Sequence, residues 1–176
     1  VMPYKDELKE LYTRMSDEEK QTPVGQEITQ YIYPPVPVGV GDAMVDGDLY
    51  DSEGTLHHLA EFEGQFILLD FWSIGCVPCI QSIPEMEKVM AIYKDKLVVV
   101  GISDDPKDRW KEYIKNKGMG GNQWNELRRD RNGLAASYHV YGIPYYVLIT
   151  PDGIIQDVWS GYGEGSLLNK MKQNLK

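Results

Sequence analysis

Residues 65–84 read QFILLDFWSIGCVPCIQSIP, and this stretch decides the fold of the chain. Within it, the apolar run 66–72 has the length and composition of a strand that is buried on both faces of a sheet. A short turn, 73–75, follows, and Cys76 and Cys79 then open a predicted helix. That helix has an apolar stripe at helical spacing: Ile83, Met86, Met90 and Tyr93. Strand, turn, Cys-x-x-Cys and helix together predict a thiol–disulfide exchange site.

The positions of the two cysteines suit this chemistry. The thiolate is the reacting species, and a helix N-terminus favours an anion through its unpaired N–H groups and its dipole. Cys76 has that position, so we assign it as the attacking thiol. Cys79 lies one turn further into the helix and can attack a mixed disulfide on Cys76, so we assign it as the resolving thiol. Pro78 stiffens the loop and is tolerated in a first turn.

Three other interpretations of the cysteine pair compete with exchange. A structural disulfide over so short a loop stabilises little, because the chain-entropy effect grows with loop length. A zinc site needs two more ligands, and the chain has no other cysteine and no histidine at ligand spacing to the pair: His57, His58 and His139. Inert, buried cysteines need neither a proline between them nor a helix start beneath them. The redox interpretation is therefore preferred, with no metal and no organic cofactor.

Asp70 is the second residue that does not fit a plain core, since it interrupts the apolar strand. An isolated carboxylate there is costly and tends to keep its proton. One hypothesis is a structural aspartate that is hydrogen-bonded to a neighbouring group. The other is that Asp70 passes protons to and from Cys79 during exchange, and we favour it because buried acids often mark functional sites.

These residues resemble those of thioredoxin-fold oxidoreductases, and most closely the TlpA-like or ResA-like thiol–disulfide oxidoreductases of the bacterial cell envelope. The resemblance covers about residue 38 to the C-terminus and rests on four features: Asp70-Phe71-Trp72, the CVPC pair, Pro84 and Ile143–Pro144. It implies a cis proline at Pro144, which leaves the backbone of Ile143 free to pair with an extended substrate segment. It further implies a substrate groove around both motifs: Trp72, Gly75, Val77, Pro78, Ile143, Pro144 and Tyr145.

Two positions depart from the family pattern. The family usually has Trp immediately before the first cysteine, where this chain has Gly75. Loss of that apolar shield is expected to expose Cys76. Many members also have a buried Glu three residues after the second cysteine, where this chain has Ser82. The chain thus keeps its predicted buried acid at Asp70 instead.

Composition limits the classes of function. With 176 residues and 42% hydrophobic content, the chain can bury one good core. A net charge of −9 argues against binding nucleic acid or an anionic membrane. No apolar run reaches membrane-spanning length. No export signal is visible, but because the chain begins at Val1, an export segment or a preceding domain can lie outside it.

The remaining pattern predicts two domains: 1–35 as a helical extension with a proline-rich linker, and 36–176 as a thioredoxin-like domain. The extension consists of a helix over 3–20 and a second helix over 23–31 with Thr22 as N-cap. Either it packs on its own fold, or it is the tail of a larger N-terminal domain. Turn residues predict a hairpin within 42–59, with His57 and His58 solvated.

The rest of the thioredoxin-like domain alternates apolar strands with helices. Strands are predicted over 97–102, 145–150 and 154–159, and helices over 106–116, 130–139 and 164–175. Residues 123–127 have no clear period and are predicted to be irregular, with Trp124 packing on the sheet edge. The predicted fold is therefore α/β, a thioredoxin fold with a central mixed sheet flanked by helices, an N-terminal helical extension and an added N-terminal β-hairpin.

The predicted function is dithiol–disulfide exchange with protein substrates, as a reductase that is periplasmic or otherwise exported to the cell envelope rather than cytoplasmic. Its electrons would come from another dithiol protein, for which a membrane thiol reductase is the candidate; no nucleic acid takes part. Two alternatives stay open: a peroxiredoxin-like peroxidase, in which Ser73 would take the place of a Thr, and a non-catalytic thioredoxin-like binding module. The motif leaves the direction of exchange open, because reduction potentials of such pairs span a wide range.

Overall fold

The computed structural model describes residues 5–34, 36–127 and 133–175. Within these ranges the strands form one mixed sheet in the order β2-β1-β5-β4-β3-β6-β7. The strands are β1 Leu49–Tyr50, β2 Leu56–His57, β3 Phe66–Trp72, β4 Leu97–Ser103, β5 Asn122–Asn125, β6 Tyr145–Ile149 and β7 Ile155–Ser160. Strands β3, β4 and β5 are parallel, whereas β6, β7 and the β1–β2 hairpin pair in antiparallel fashion.

Helices precede and flank this sheet. They are α1 Lys5–Thr13, α2 Asp17–Gln21, α3 Pro23–Ile32, α4 Val77–Tyr93, α5 Lys107–Lys117, α6 Leu134–Ser137 and α7 Ser166–Asn174, with a 3₁₀ helix at Leu59–Phe62. The mixed sheet, its helices and the added hairpin confirm the predicted fold class. The predicted helix over 130–139 begins at residues that lie outside the described ranges, and α6 is the part of it that the structure describes.

Alternation along β3 and β6 divides the core between the two faces of the sheet. One face carries Leu69, Phe71, Tyr145 and Val147, which pack with Leu134 and Tyr138. The opposite face carries Leu68, Tyr146 and Leu148, which pack under α4 and α7 through Met86, Val89, Leu167 and Met171. Tyr145 and Tyr146 therefore enter opposite halves of the core, as their adjacency in a strand predicts.

The prediction for residues 123–127 was wrong, because β5 pairs in parallel with β4 between Val100 and Ser103. Its apolar pattern is too weak to detect, since Trp124 is the one large apolar residue among Asn and Gln. Pairing with β4 on one side and β1 on the other supplies the backbone hydrogen bonds instead. Trp124 was expected to pack on the sheet edge, but it is buried in the core, because β5 lies between β4 and β1 and is not an edge strand.

The solvated assignment of the hairpin histidines was wrong for His57. The His57 ring stacks on Trp124 with a centroid distance of 4.6 Å, and its nitrogens lie 3.3 Å from Asp51 Oδ2 and 3.1 Å from Glu61 Oε2. His58 is more exposed and contacts Asp48 at 3.0 Å. Strand β2 lies at the sheet edge and pairs with β1, which in turn pairs with β5. This order brings Trp124 of β5 under only one of the two histidines, His57.

The single helix predicted over 3–20 is two helices, α1 and α2. Ser16 ends the first and caps the second: its hydroxyl accepts from the Glu19 N–H at 3.2 Å, and the Glu19 carboxylate accepts from the Ser16 N–H at 2.7 Å. This capping box fixes a new helix start within the apparently continuous pattern. The third helix begins as predicted, with the Thr22 hydroxyl accepting from the Gly25 N–H.

Candidate active site

The cysteine pair lies at the junction between β3 and α4. Cys76 is the N-cap of α4, and Pro78 is within its first turn. The two sulfurs form a disulfide, and the Cys76 Sγ also accepts from the Cys79 N–H at 3.2 Å. Cys79 is 3% exposed and packs with Trp72 and Trp110, whereas Cys76 is half-buried. The Cys76 sulfur is therefore the outer one and the Cys79 sulfur the inner one, as their positions in the sequence predict.

A carboxylate from the end of β4 holds the turn before the cysteines. Asp105 Oδ2 accepts from the Ile74 N–H at 2.8 Å and from the Ser103 hydroxyl at 2.9 Å. The buried Asn125 in turn donates from Nδ2 to the Asp105 carbonyl at 3.0 Å. Asp105 was not predicted from the sequence. The available signal was its position after a parallel strand, because the carboxyl ends of parallel strands meet at one edge of the sheet.

Asp70 lies in the middle of β3 on the α4 face, between Leu68 and Trp72. The residue is half-buried, and its Oδ1 atom is fully buried with no hydrogen-bond partner in the described part of the chain. Desolvation raises the pKa of the Asp70 carboxyl to about 7. Trp72 contacts Cys79 on this same face, so Asp70 lies under the beginning of α4. A carboxyl group with this pKa can exchange a proton near neutral pH.

The proline loop lies at the start of β6, where Tyr145 pairs with Phe71 near the end of β3. The Ile143–Pro144 peptide bond is cis. Ile143 is 37% exposed, whereas Pro144 and Tyr145 are buried. A cavity of about 190 Å³ separates this loop from the end of β3 and is mainly apolar, with Asp104 and Glu126 among its lining residues.

The predicted groove residues fall into two groups. Gly75, Val77 and Pro78 are exposed at the cysteine motif, and Ile143 is exposed in the proline loop. Trp72, Pro144 and Tyr145 are buried, and Trp72 lines the cavity beside Ile143. With Gly75 exposed in place of the usual Trp, Cys76 remains half-buried. The first group forms a surface that a substrate can reach, and the second group supports it from below.

A second buried acid, Glu85, was not predicted from the sequence. Its carboxylate accepts from the Tyr162 hydroxyl at 2.9 Å and from the Gly165 and Leu168 N–H groups at 2.8 and 2.9 Å. Burial acts to raise the pKa of Glu85, but these hydrogen bonds hold it below its ordinary value. Its position one turn after Ser82 on the inward face of α4 was the available signal. Glu85 joins α4 to the start of α7.

Two properties of the described residues bear on cofactors and membranes. Among residues 5–34, 36–127 and 133–175, no group of three or more His, Cys, Asp or Glu side chains could hold a metal ion. In the same described residues, no helix has both the length and the apolar character needed to cross a bilayer.

A cysteine pair at the start of α4, together with a cis-proline loop at the start of β6 on a mixed sheet of this order, defines the class of thioredoxin-fold thiol–disulfide oxidoreductases. Residues 40–158 match the AhpC/TSA family, and the chain belongs to that family. The resemblance to TlpA-like and ResA-like oxidoreductases that the sequence motifs carry is confirmed by the relatives described next.

Similar proteins and structures agree on this class. The thioredoxin-like protein YneN of Bacillus subtilis is 29% identical over 121 residues, which cover 69% of this chain and 71% of YneN. The thiol-disulfide oxidoreductase ResA of Geobacillus kaustophilus is 25% identical over 127 residues, which cover 70% of this chain and 71% of ResA. The thioredoxin domain of a thiol-disulfide oxidoreductase from Bacteroides vulgatus superimposes with a TM-score of 0.68 at 26% identity, covering 78% of this chain and 99% of that domain.

Proposed function

We propose that this oxidoreductase acts as a reductase of protein disulfides, with Cys76 attacking and Cys79 resolving. The observation that carries the proposal is the position of Cys76 as N-cap of α4, with its sulfur accepting from the Cys79 N–H. The same N–H groups and the helix dipole stabilise a thiolate once the disulfide is reduced. Cys79 is buried one turn inside and meets a substrate only through Cys76.

The exchange balances in two steps. The Cys76 thiolate attacks one sulfur of the substrate disulfide, so a mixed disulfide forms and the other substrate sulfur leaves as a thiolate. Cys79 then loses its proton and attacks the Cys76 sulfur, which closes the Cys76–Cys79 disulfide and releases the second substrate thiolate. Asp70 is the proposed acceptor of the Cys79 proton, because it lies on the same face under α4 and ionises near neutral pH.

We propose that the substrate is an extended protein segment that pairs with the backbone of Ile143 and lies across the exposed Gly75, Val77 and Pro78. The exposure of Ile143, which shares a cavity with Trp72, supports this docking mode. Two cysteines confined to the motif, together with the resemblance to envelope oxidoreductases, support an exported location. In that location a membrane thiol reductase would return the pair to the dithiol form.

The equilibrium with glutathione redox buffers tests this function. The oxidised and reduced forms are separated by alkylation and mass, and a reduction potential near about −270 mV is expected for a reductase. A value near about −120 mV would identify an oxidant and contradict the proposal. Cys79→Ser should trap a mixed disulfide with a protein substrate, and Cys76→Ser is the matched control that should trap none. Consumption of hydrogen peroxide at enzymatic rates would instead favour the peroxidase.

A further inference from the structure

Strand β5 brings a polar side chain, Gln123, to the row of the sheet that contains Asp70. In the parallel register Asp70 lies opposite Gly101, and Gly101 lies opposite Gln123. Residues opposite one another in neighbouring strands share a face of the sheet. Asp70 and Gln123 therefore project to the same side, with only Gly101 between them.

Gly101 has no side chain, and Gln123 uses the space that this leaves. A Cβ at Gly101 would overlap Gln123 Oε1 and lie 3.0 Å from Gln123 Cδ. The carboxamide of Gln123 thus lies over the β4 backbone. Strand β3 lies one strand spacing from β4, about 4.8 Å away. The Asp70 side chain spans part of the distance between β3 and the Gln123 carboxamide.

Both side chains contain a buried acceptor without a partner. Among the described residues, Asp70 Oδ1 and Gln123 Oε1 are each buried and accept no hydrogen bond. The oxygen and nitrogen of a side-chain amide occupy equivalent positions, and the hydrogen-bond network decides between them. Rotation of the amide plane by half a turn directs Nε2 over Gly101 toward the carboxylate. The rotation gives up the 3.4 Å contact from Nε2 to the Gly120 carbonyl and places Oε1 opposite that carbonyl instead.

We propose that Gln123 is the positioning residue for Asp70: its carboxamide donates a hydrogen bond to the carboxylate and sets the pH at which Asp70 accepts the Cys79 proton. The proposal rests on the proposed role of Asp70 in exchange. Gln123 acts through Asp70, and Gly101 is required because any larger residue fills the path between them.

In the described part of the chain, the other titratable groups near this space come from β6, α4 and α5, of which α5 contributes Tyr113 against Trp72. From β6 the Tyr146 hydroxyl projects to the same face, and burial followed by the charge of Asp70 raises the pKa of Tyr146. Helix α4 contributes the Cys79 thiol. It also contributes Glu85, which lies beyond Tyr146 and contacts Tyr162. Tyr146 stays neutral over the range in which Asp70 titrates, and oxidation of the cysteines removes the thiol. The oxidised protein therefore reports on Asp70 alone.

The direct test is an NMR titration of the Asp70 carboxyl carbon in the oxidised full-length protein. A donor to a carboxylate favours the charged form, so Gln123→Leu should raise the measured pKa by about one pH unit. Gly101→Ala should shift it in the same direction, because the new methyl group displaces the amide. The double variant should match Gln123→Leu alone, since both changes remove one interaction. Gln156→Leu on β7 is the matched control and should cause no shift, because Gln156 bonds to Asn174.

A kinetic test uses Ellman's reagent with the reduced protein, where the first thiolate released reports attack by Cys76 and the second reports resolution by Cys79. Gln123→Leu should slow the second phase at pH 7 roughly three- to tenfold and leave the first unchanged. An unshifted Asp70 titration in folded Gln123→Leu and Gly101→Ala overturns the proposal. If Asp70→Asn leaves the second phase unchanged, the relay role fails, whereas the NMR shift still decides whether Gln123 bonds to Asp70.

Discussion

At the scale of single residues, Cys76 and Asp70 meet opposite electrostatic conditions a few residues apart. The Cys76 sulfur lies at the N-terminus of α4 and accepts from an N–H group, which favours its anion. Asp70 Oδ1 is buried with no partner among the residues that the structure describes, which disfavours its anion. The outer sulfur is thereby prepared to attack, and the inner acid is prepared to hold a proton near neutral pH.

The first prediction concerns the thiolate at Cys76. In the reduced protein, Cys76 should be alkylated by iodoacetamide well below pH 8.5, about where a free cysteine ionises. Cys79→Ser should keep this early alkylation, because the helix N-terminus is unchanged. Measurement of the alkylation rate against pH checks it. A profile like that of a free thiol would mean that the helix N-terminus does not activate Cys76.

The second prediction concerns Asp70. Because its pKa is raised to about 7, resolution by Cys79 should accelerate as pH rises through that value, and Asp70→Asn should abolish this inflection.

The folded pKa of Asp70 also exceeds the unfolded one, so the ionised carboxyl lowers stability as pH rises from about 4 to 7. Asp70→Asn should therefore raise the free energy of unfolding at pH 8 by an amount on the order of 2–4 kcal/mol. Urea denaturation at pH 8 checks this, and Asp95→Asn outside the strand is the control.

At the scale of elements, α4 and α7 are joined by one buried carboxylate. Glu85 accepts from the two N–H groups at the start of α7 and from Tyr162, and it thereby satisfies donors that a helix N-terminus leaves unpaired. Glu85→Gln should lower the free energy of unfolding by about 1–3 kcal/mol at pH 7. The exposed Glu87→Gln, on the same helix, should have little effect.

The pH dependence of this contact has a definite sign. The folded pKa of Glu85 is depressed, so its stabilisation is present above the unfolded value of about 4.3 and is lost as pH falls through the folded value. The stability difference between wild type and Glu85→Gln should therefore shrink in acid. Denaturation at pH 7 and at pH 3 measures it; a constant difference would contradict the assignment.

The hairpin is attached to the sheet by His57. Hydrogen bonding to Glu61 is the largest cause that raises the pKa of His57; burial opposes it, and hydrogen bonding to Asp51 raises the pKa further. Its stabilisation should thus be complete below about pH 6.5 and be lost as pH rises through the folded value. His57→Gln should lower the free energy of unfolding by about 0.5–1 kcal/mol at pH 5.5 and by less at pH 9. Equal effects at both pH values would show that stacking on Trp124, not charge, holds the hairpin.

At the scale of the whole molecule, the helical extension and the thioredoxin-like domain are proposed as separate units. Within the extension, Tyr12 packs edge-on against Tyr33 and contacts the Thr29 hydroxyl at 2.8 Å. In the described part of the linker, the first backbone bond to the domain is that from the Val38 N–H to the Ser137 carbonyl. The boundary after residue 35 therefore falls before the contacts that the core requires.

Deletion of residues 1–35 should leave turnover of protein disulfides unchanged within about twofold and lower Tm only slightly. Deletion through residue 45 should destabilise the domain strongly, because Val38, Met44 and Val45 pack against its core. Insulin reduction and thermal unfolding of both truncated proteins check this. Loss of activity in the shorter deletion would show that the extension belongs to the functional unit.

The sequence by itself determined the parts that depend on local pattern. The apolar run at Phe66–Trp72, the proline inside the Cys-x-x-Cys pair and the period of the following helix specify strand, turn and helix without help from distant residues. They also predict which sulfur is outside. Turn residues around Gly54 likewise predict the hairpin.

Only the tertiary structure decided the contacts between segments far apart in the chain. Strand β5 forms because β4 and β1 supply its hydrogen-bond partners, and Asp105 reaches Ile74 because two parallel strands end at one edge. Glu85 is satisfied by a helix eighty residues later, and the register of three strands places Asp70 and Gln123 on either side of Gly101. Periodicity cannot report these neighbours, because it records the face on which a residue lies and not the element that packs against that face.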